Sequence, residues 1–214
     1  MKRIVIAVLA ICLLALCACG GADKPQDTQA PEGNLRVEPL PSSLDIDNLN
    51  DATVSVSFDA NSLGTDGGKM TLKIRVYDYE LFDTVDVSQL KKGDTIVVNG
   101  KEIVVENIDD SNGVAINGGE EMGGVTLIGE DGGTLRQELM DDAKMYYEVG
   151  KLTLPVSEDC VLTDSSDLEA PEKTVTAAEL ETFIADDTLT FNPQNTQAVI
   201  QDGSITAISR VYTP

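Results

Sequence analysis

The stretch TIVVNGKEIVV, Thr95–Val105, sets Asn99-Gly100 between two apolar runs. Asn-Gly supplies the two positive-φ positions of a tight turn, so it predicts a hairpin between Ile96–Val98 and Glu102–Val105. AVIQDGSITAISRVY, Ala198–Tyr212, repeats the pattern with Asp202-Gly203 at the turn. Outward from these hairpins, apolar residues recur with period two, as half-buried strands require. ATVSVSF alternates Val54, Val56 and Phe58 with Thr53, Ser55 and Ser57. MTLKIRVYDY alternates Met70, Leu72, Ile74 and Val76 with Thr71, Lys73, Arg75 and Tyr77.

The segment NGVAINGGEEMGGVTLIGEDGGTLRQ carries glycine pairs at 118–119, 123–124 and 132–133. They read as turns between the short strands VAI and VTLI, and Lys151–Val156 reads as a further strand. Thr176-Ala177-Ala178-Glu179 has the form of a capping box opening a short helix, AAELETFIA. DVSQLKKGD predicts a helical turn before Gly93. LRQELMDDAKMYYEV tolerates helix, but Tyr146-Tyr147 and the neighbouring glycine turns favour strand. About ten short strands with one or two short helices define a mainly β fold, an antiparallel barrel or sandwich. The domain spans 51–214 and is long enough for one sizeable core. A division into two small units, near Asp109–Asn112 or within TDSSDLEAPEK, stays open.

The chain starts Met1-Lys2-Arg3 and continues IVIAVLAICLLAL, Ile4–Leu16, without a charge. Two cations before an apolar run of this length match a secretory signal, since a membrane span needs about 20 apolar residues. The end of the run, LLALCACGG, resembles a bacterial lipoprotein signal. In that class an aliphatic residue stands three positions before the acylated cysteine and a small residue immediately before it. Cys19 fits, with Leu16 and Ala18 in those places, whereas Cys17 follows the bulky Leu16 and Cys12 lies within the apolar core. The resemblance implies a signal peptide over 1–18, a diacylglycerol on the Cys19 thiol, and an extracytoplasmic protein anchored to the bacterial cell membrane. Residues 19–50, rich in Pro, Gly and Asp, read as the lipidated cysteine and a flexible tether. The later part of that tether, Leu35–Leu49, is open to packing on the domain.

Acidic residues dominate, 37 Asp and Glu against 15 Lys and Arg, for a net charge of −22. Loss of Lys2 and Arg3 with the signal leaves 13 cations and a mature charge of about −24. Such a surface opposes nucleic acid and anionic headgroups, both of which need cationic contacts. Cys160 is the one cysteine outside the signal and anchor, so no internal disulfide forms. Its place in LTLPVSEDCVL reads as a buried small hydrophobe rather than a reactive thiol.

The chain contains no histidine. That removes Ser-His-Asp and Cys-His nucleophiles, His-ligated zinc and imidazole acid–base chemistry. An oxygen-only site would suit Ca²⁺ or Mg²⁺, but neither Ile108–Gly113 nor DIDNLND has the spacing of a calcium loop. No metal or cofactor site is therefore assigned. Ser88-Gln89-Leu90-Lys91 matches S-x-x-K without its companion motifs and reads as a surface turn. Carboxylate pairs for glycoside hydrolysis have no tryptophan platform beside them. Tyr77 and Tyr79, on one strand face, offer a small aromatic patch.

VDVSQLKKGDTIVVNGKEIVVENI and NTQAVIQDGSITAISRVYTP resemble small uncharacterised lipoproteins of gut Firmicutes. The resemblance supports a Gram-positive surface location and brings no catalytic motif with it. The expected function is a membrane-anchored binding or interaction module with no catalytic residues, whose ligand is a protein, a glycan or a small molecule. Two alternatives stay open, an extracytoplasmic hydrolase using carboxylates, with or without Ca²⁺, and a structural component of the cell envelope.

Overall fold

A computed structural model describes residues 35–111, 113–186 and 188–213. Cys19, the signal segment and the first part of the tether lie outside these residues. The chain runs through β1 (Arg36–Val37), β2 (Ala52–Ser57), β3 (Leu63–Asp66), β4 (Lys69–Tyr79), β5 (Leu81–Asp83) and α1 (Thr84–Ser88). It continues through β6 (Thr95–Val98), β7 (Lys101–Val104), β8 (Ile108–Asp109), β9 (Val114–Ile116), β10 (Val125–Glu130) and β11 (Thr134–Gln137). The last elements are β12 (Tyr146–Ser165), β13 (Lys173–Thr176), α2 (Ala177–Ile184), β14 (Thr196–Gln201) and β15 (Ser204–Val211). The fold is mainly β, built from three sheets with two short helices.

Both predicted hairpins form. Asn99 and Gly100 take φ of 51° and 71° and close β6 on β7, pairing Val98 with Lys101. Asp202 and Gly203, at 48° and 69°, do the same for β14 and β15. A third hairpin turns on Gly67-Gly68 and pairs β3 with β4. Its first strand, LGTD, is mostly exposed and carries no alternating apolar pattern. At Gly124 the reason for glycine is proximity, since a Cβ there would meet the Ile116 carbonyl oxygen at 1.9 Å. That close approach lets β10 lie against β9.

β12 organises the larger sheet. Its first half pairs antiparallel with β4, from Tyr146 opposite Tyr79 to Pro155 opposite Thr71. Proline has no N–H to continue a ladder. Beyond Pro155 the strand turns to β15, with which it pairs parallel, and to β13. The pairings of β12, β15, β14, β2 and β4 thus run in a closed circuit. Val54, Val56, Leu72, Ile74, Val76, Leu162, Ile200 and Ile208 point to one side of these strands and form the first core. α2 seals it with Leu180, Phe183 and Ile184, and the expected capping box opens that helix through Thr176 and Glu179. LRQELMDDAKMYYEV supplies β11 and the start of β12, with a 3-10 turn between them at Met140–Asp142.

The chain leaves this core after Tyr79 and builds a second. β5, β11, β10, β9 and β8 form one sheet and β1, β6 and β7 another. Phe82, Ile96, Val98, Ile116, Leu127 and Leu135 from the two sheets share one buried cluster, which Val87 of α1 and Leu90 complete. This is the sandwich arrangement of two sheets across a common core. From Leu35 onward, the segment assigned to the tether lies on the fold. Val37 is buried in the second core, and Leu44, Ile46 and Leu49 pack on the first. Its anchor is Asp94, 1 % exposed, whose carboxylate accepts from the Leu35 and Lys91 N–H groups at 2.9 Å each.

Candidate functional site

Among the described residues, functional side chains gather in a part-buried knot between the cores and in an open groove at one end of the strand circuit. The knot lies where the chain crosses from one core to the other, after β4 and before β12. Glu130, the last residue of β10, accepts from Arg136 Nε at 2.7 Å, from Lys144 Nζ at 2.8 Å and from the Tyr79 hydroxyl at 3.0 Å. Arg136 also donates to Asp142, and Lys144 to the Tyr79 hydroxyl at 2.9 Å. The Lys144 ammonium stands 4.0 Å from the centre of the Tyr79 ring, which meets Tyr146 edge-on.

Partial burial opposes the Glu130 charge, but the donors from Lys144, Arg136 and Tyr79 outweigh it and hold the carboxyl at about 2. Burial likewise opposes the Lys144 charge, and its bonds to Glu130 and Tyr79 more than compensate, so its pKa rises. Burial raises Tyr79 as well. At neutral pH Glu130, Arg136 and Lys144 therefore stay charged and Tyr79 keeps its proton. The space beside the knot, about 10 Å³, admits one water at most. The knot is a structural tie between the cores.

A second committed cluster surrounds Arg210. Its guanidinium donates to Asp164 at 2.9 Å, to the Ser166 hydroxyl at 2.8 Å and to the Thr190 carbonyl at 3.0 Å. Among the described residues no buried side-chain nitrogen or oxygen lacks a hydrogen-bond partner.

The groove is the larger concavity, about 770 Å³ and open to solvent. It forms where β12 changes partners. Between Val156 and Val161 that strand carries extra residues relative to β15, and the resulting bulge pushes Ser157, Glu158 and Asp159 out of the ladder. The β3–β4 turn brings Lys69 and Met70 to the same rim, the β14–β15 turn brings Asp202, and the first turn of α2 brings Ala177 and Ala178. Both polar and apolar groups line it, and its volume falls in the range of small-molecule sites, roughly 300–1,000 Å³. Among the described residues no group of three or more His, Cys, Asp or Glu is placed to hold a metal ion.

The residues singled out by sequence fall elsewhere. Cys160 closes the bulge from the core side and is 1 % exposed; burial pushes its thiol up to about 11. Carboxyamidomethylation of Cys160 at pH 8 should run at least about a hundredfold slower in the folded protein than in urea, because the thiolate is the reactive form. Peptide mass spectrometry reads this directly, and comparable rates would show an accessible thiol. Ser88 donates to the Val85 carbonyl at 2.7 Å and Leu90 is buried, so Ser88–Lys91 is the last residue of α1 and the turn that follows it. Tyr77 and Tyr79 do not act as one patch. Tyr77 shares a hydrogen bond with Ser57 at 3.0 Å, and Tyr79 belongs to the knot. The groove gave no local sequence signal, since its rim comes from four segments that meet only in the fold. No known protein family, curated protein or solved structure matches the chain.

Proposed function

We propose that this chain is an extracytoplasmic lipoprotein, held at the bacterial cell membrane by a diacylglycerol on Cys19, and that its β unit is a non-enzymatic binding module. The groove carries the binding half of this reading, as an open concavity of mixed polarity set among hairpin tips. The commitment of the buried ionisable groups to internal partners supports it further. Glu130 stays charged and Cys160 stays neutral, which suits a scaffold better than proton transfer or nucleophilic attack. The anchor rests on LLALCACGG, where Ala18 and Leu16 single out Cys19. Two acyl chains, at about 0.8 kcal/mol per buried CH₂, hold a protein firmly where one does not.

A thermal-shift screen against glycans, peptides and Ca²⁺ tests the module. A metal-independent rise in Tm that Ala178→Trp abolishes, by filling the groove from its exposed rim, is the expected result. A rise seen only with Ca²⁺ would favour the Ca²⁺-dependent carboxylate hydrolase. No shift with any ligand would favour a structural envelope component.

A further inference from the structure

We propose that a recess on the outer face of β2, β4 and β12, separate from the groove, is an oxyanion site that takes a small ligand bearing a carboxylate, sulfate or phosphate. The register assembles it. Ser57 lies opposite Arg75, and Arg75 opposite Lys151, so the three stand in one row across the strands. Lys73 shares the outer face two residues along β4, opposite Thr153. The recess encloses about 300 Å³. Its wall includes Phe191, whose ring stacks on Phe58 at 4.5 Å, with a backbone bridge between the same two residues.

Like charges directly opposite on antiparallel strands destabilise a sheet. Arg75 and Lys151 are such a pair, in a chain where acids outnumber bases by more than two to one. Glu148 relieves them only in part, at 2.9 Å from Arg75 and 3.6 Å from Lys151. Lys73 makes no ion pair among the described residues. Asp59, the carboxylate on the rim, uses Oδ1 to accept from the Asn61 N–H at 2.8 Å and the Ser62 hydroxyl at 3.1 Å. It adds to the field that favours the Arg75 charge without coming within salt-bridge distance of it. Three cations against two carboxylates leave the recess net positive on a molecule of charge −22.

An incoming oxyanion completes this arrangement. The Arg75 side chain is 54 % exposed and that of Lys151 48 %, so both reach solvent. A guanidinium fork matches two oxygens of a carboxylate or phosphate, and lysines add point charge beside it. Phe58 and Phe191, buried in the first core, close the floor of the recess. A cation is repelled by the same groups, and a neutral sugar brings no charge to pair with them.

The test is calorimetric titration of the full chain in detergent, at constant ionic strength, with glucuronate, glucose 6-phosphate, inorganic sulfate and inorganic phosphate, and with glucose as the neutral control. Saturable binding of at least one anion and none of glucose is expected, and the preferred anion identifies the oxyanion. Arg75→Gln should weaken that binding about tenfold or more. Lys73→Gln, which breaks no ion pair and leaves the sheet intact, should also weaken it. Ala178→Trp, in the groove, should leave it unchanged, which separates this site from the groove. Absence of anion binding, or equal affinity in wild type, Arg75→Gln and Lys73→Gln, would overturn the proposal.

Discussion

Arg136→Ala is expected to lower the unfolding free energy by about 1.5–3 kcal/mol, the usual loss when hydrogen bonds between charged groups are removed. The Arg136 side chain is 6 % exposed and bonds both Glu130 and Asp142. Without it, Glu130 stays in a half-buried position with one cation fewer, and the contact between the two cores loses its centre. The pH dependence carries a second signature. The folded Glu130 carboxyl titrates at about 2 against an ordinary 4.5, so its pKa is depressed by folding. Its contribution to stability is complete above pH 4.5 and drains away as the pH falls from there toward 2. Arg136→Ala should shrink that acid limb as well as lower the plateau at pH 7. Denaturant unfolding followed by circular dichroism from pH 2 to 7 measures both. A loss under 1 kcal/mol with an unchanged acid limb would show that the knot does not tie the cores.

Phe82→Ala is expected to cost about 3–5 kcal/mol, from lost burial together with the cavity left behind. Phe82 is fully buried at the middle of the three-residue β5, opposite Leu135 of β11. It is the one aromatic side chain in the second core, whose other buried members are Val, Ile and Leu. A strand this short has few ladder bonds to hold it, so its place depends on that side chain. Hydrogen exchange should show the loss first in β5 and β11, and later or not at all in β14 and β15, which pack in the first core. Equal loss of protection in both cores would mean that they open as one unit.

The parts of this fold that could be read in advance are those whose causes are local. Asn99-Gly100 and Asp202-Gly203 specify their turns by backbone preference alone, and Thr176 with Glu179 caps α2 within four residues. Alternation at Val54–Phe58 and Met70–Val76 assigns the inward faces correctly. The choice of strand partners is a different matter, because it depends on residues far apart in the chain. Nothing near Pro155 announces that β12 will pass from β4 to a parallel pairing with β15. Gly67-Gly68 is as strong a turn signal as Asn99-Gly100, but the polar LGTD before it conceals the strand.

The sites follow the same division. The proposed anchor at Cys19 rests on a linear string, LLALCACGG, that needs no fold to be read. Glu130, Arg136 and Lys144 look like ordinary surface charges in sequence, and only the crossing between the cores makes them a part-buried set. Lys73 and Arg75 lie more than seventy residues before Lys151, and the β4–β12 register alone brings them beside it. In a chain so rich in acid, the grouping of a few cations tells more than the net charge does.

The membrane anchor is the point on which the proposed function rests, and fatty-acid labelling combined with fractionation tests it most directly. Cells expressing the wild type, Cys17→Ser and Cys19→Ser chains would be fed an alkyne fatty acid and separated into membrane and soluble fractions. Wild type and Cys17→Ser should carry the label and sediment with membranes, while Cys19→Ser should be unlabelled and soluble. A Cys19→Ser chain that is still labelled, or still membrane-bound, would contradict a lipid anchor at Cys19.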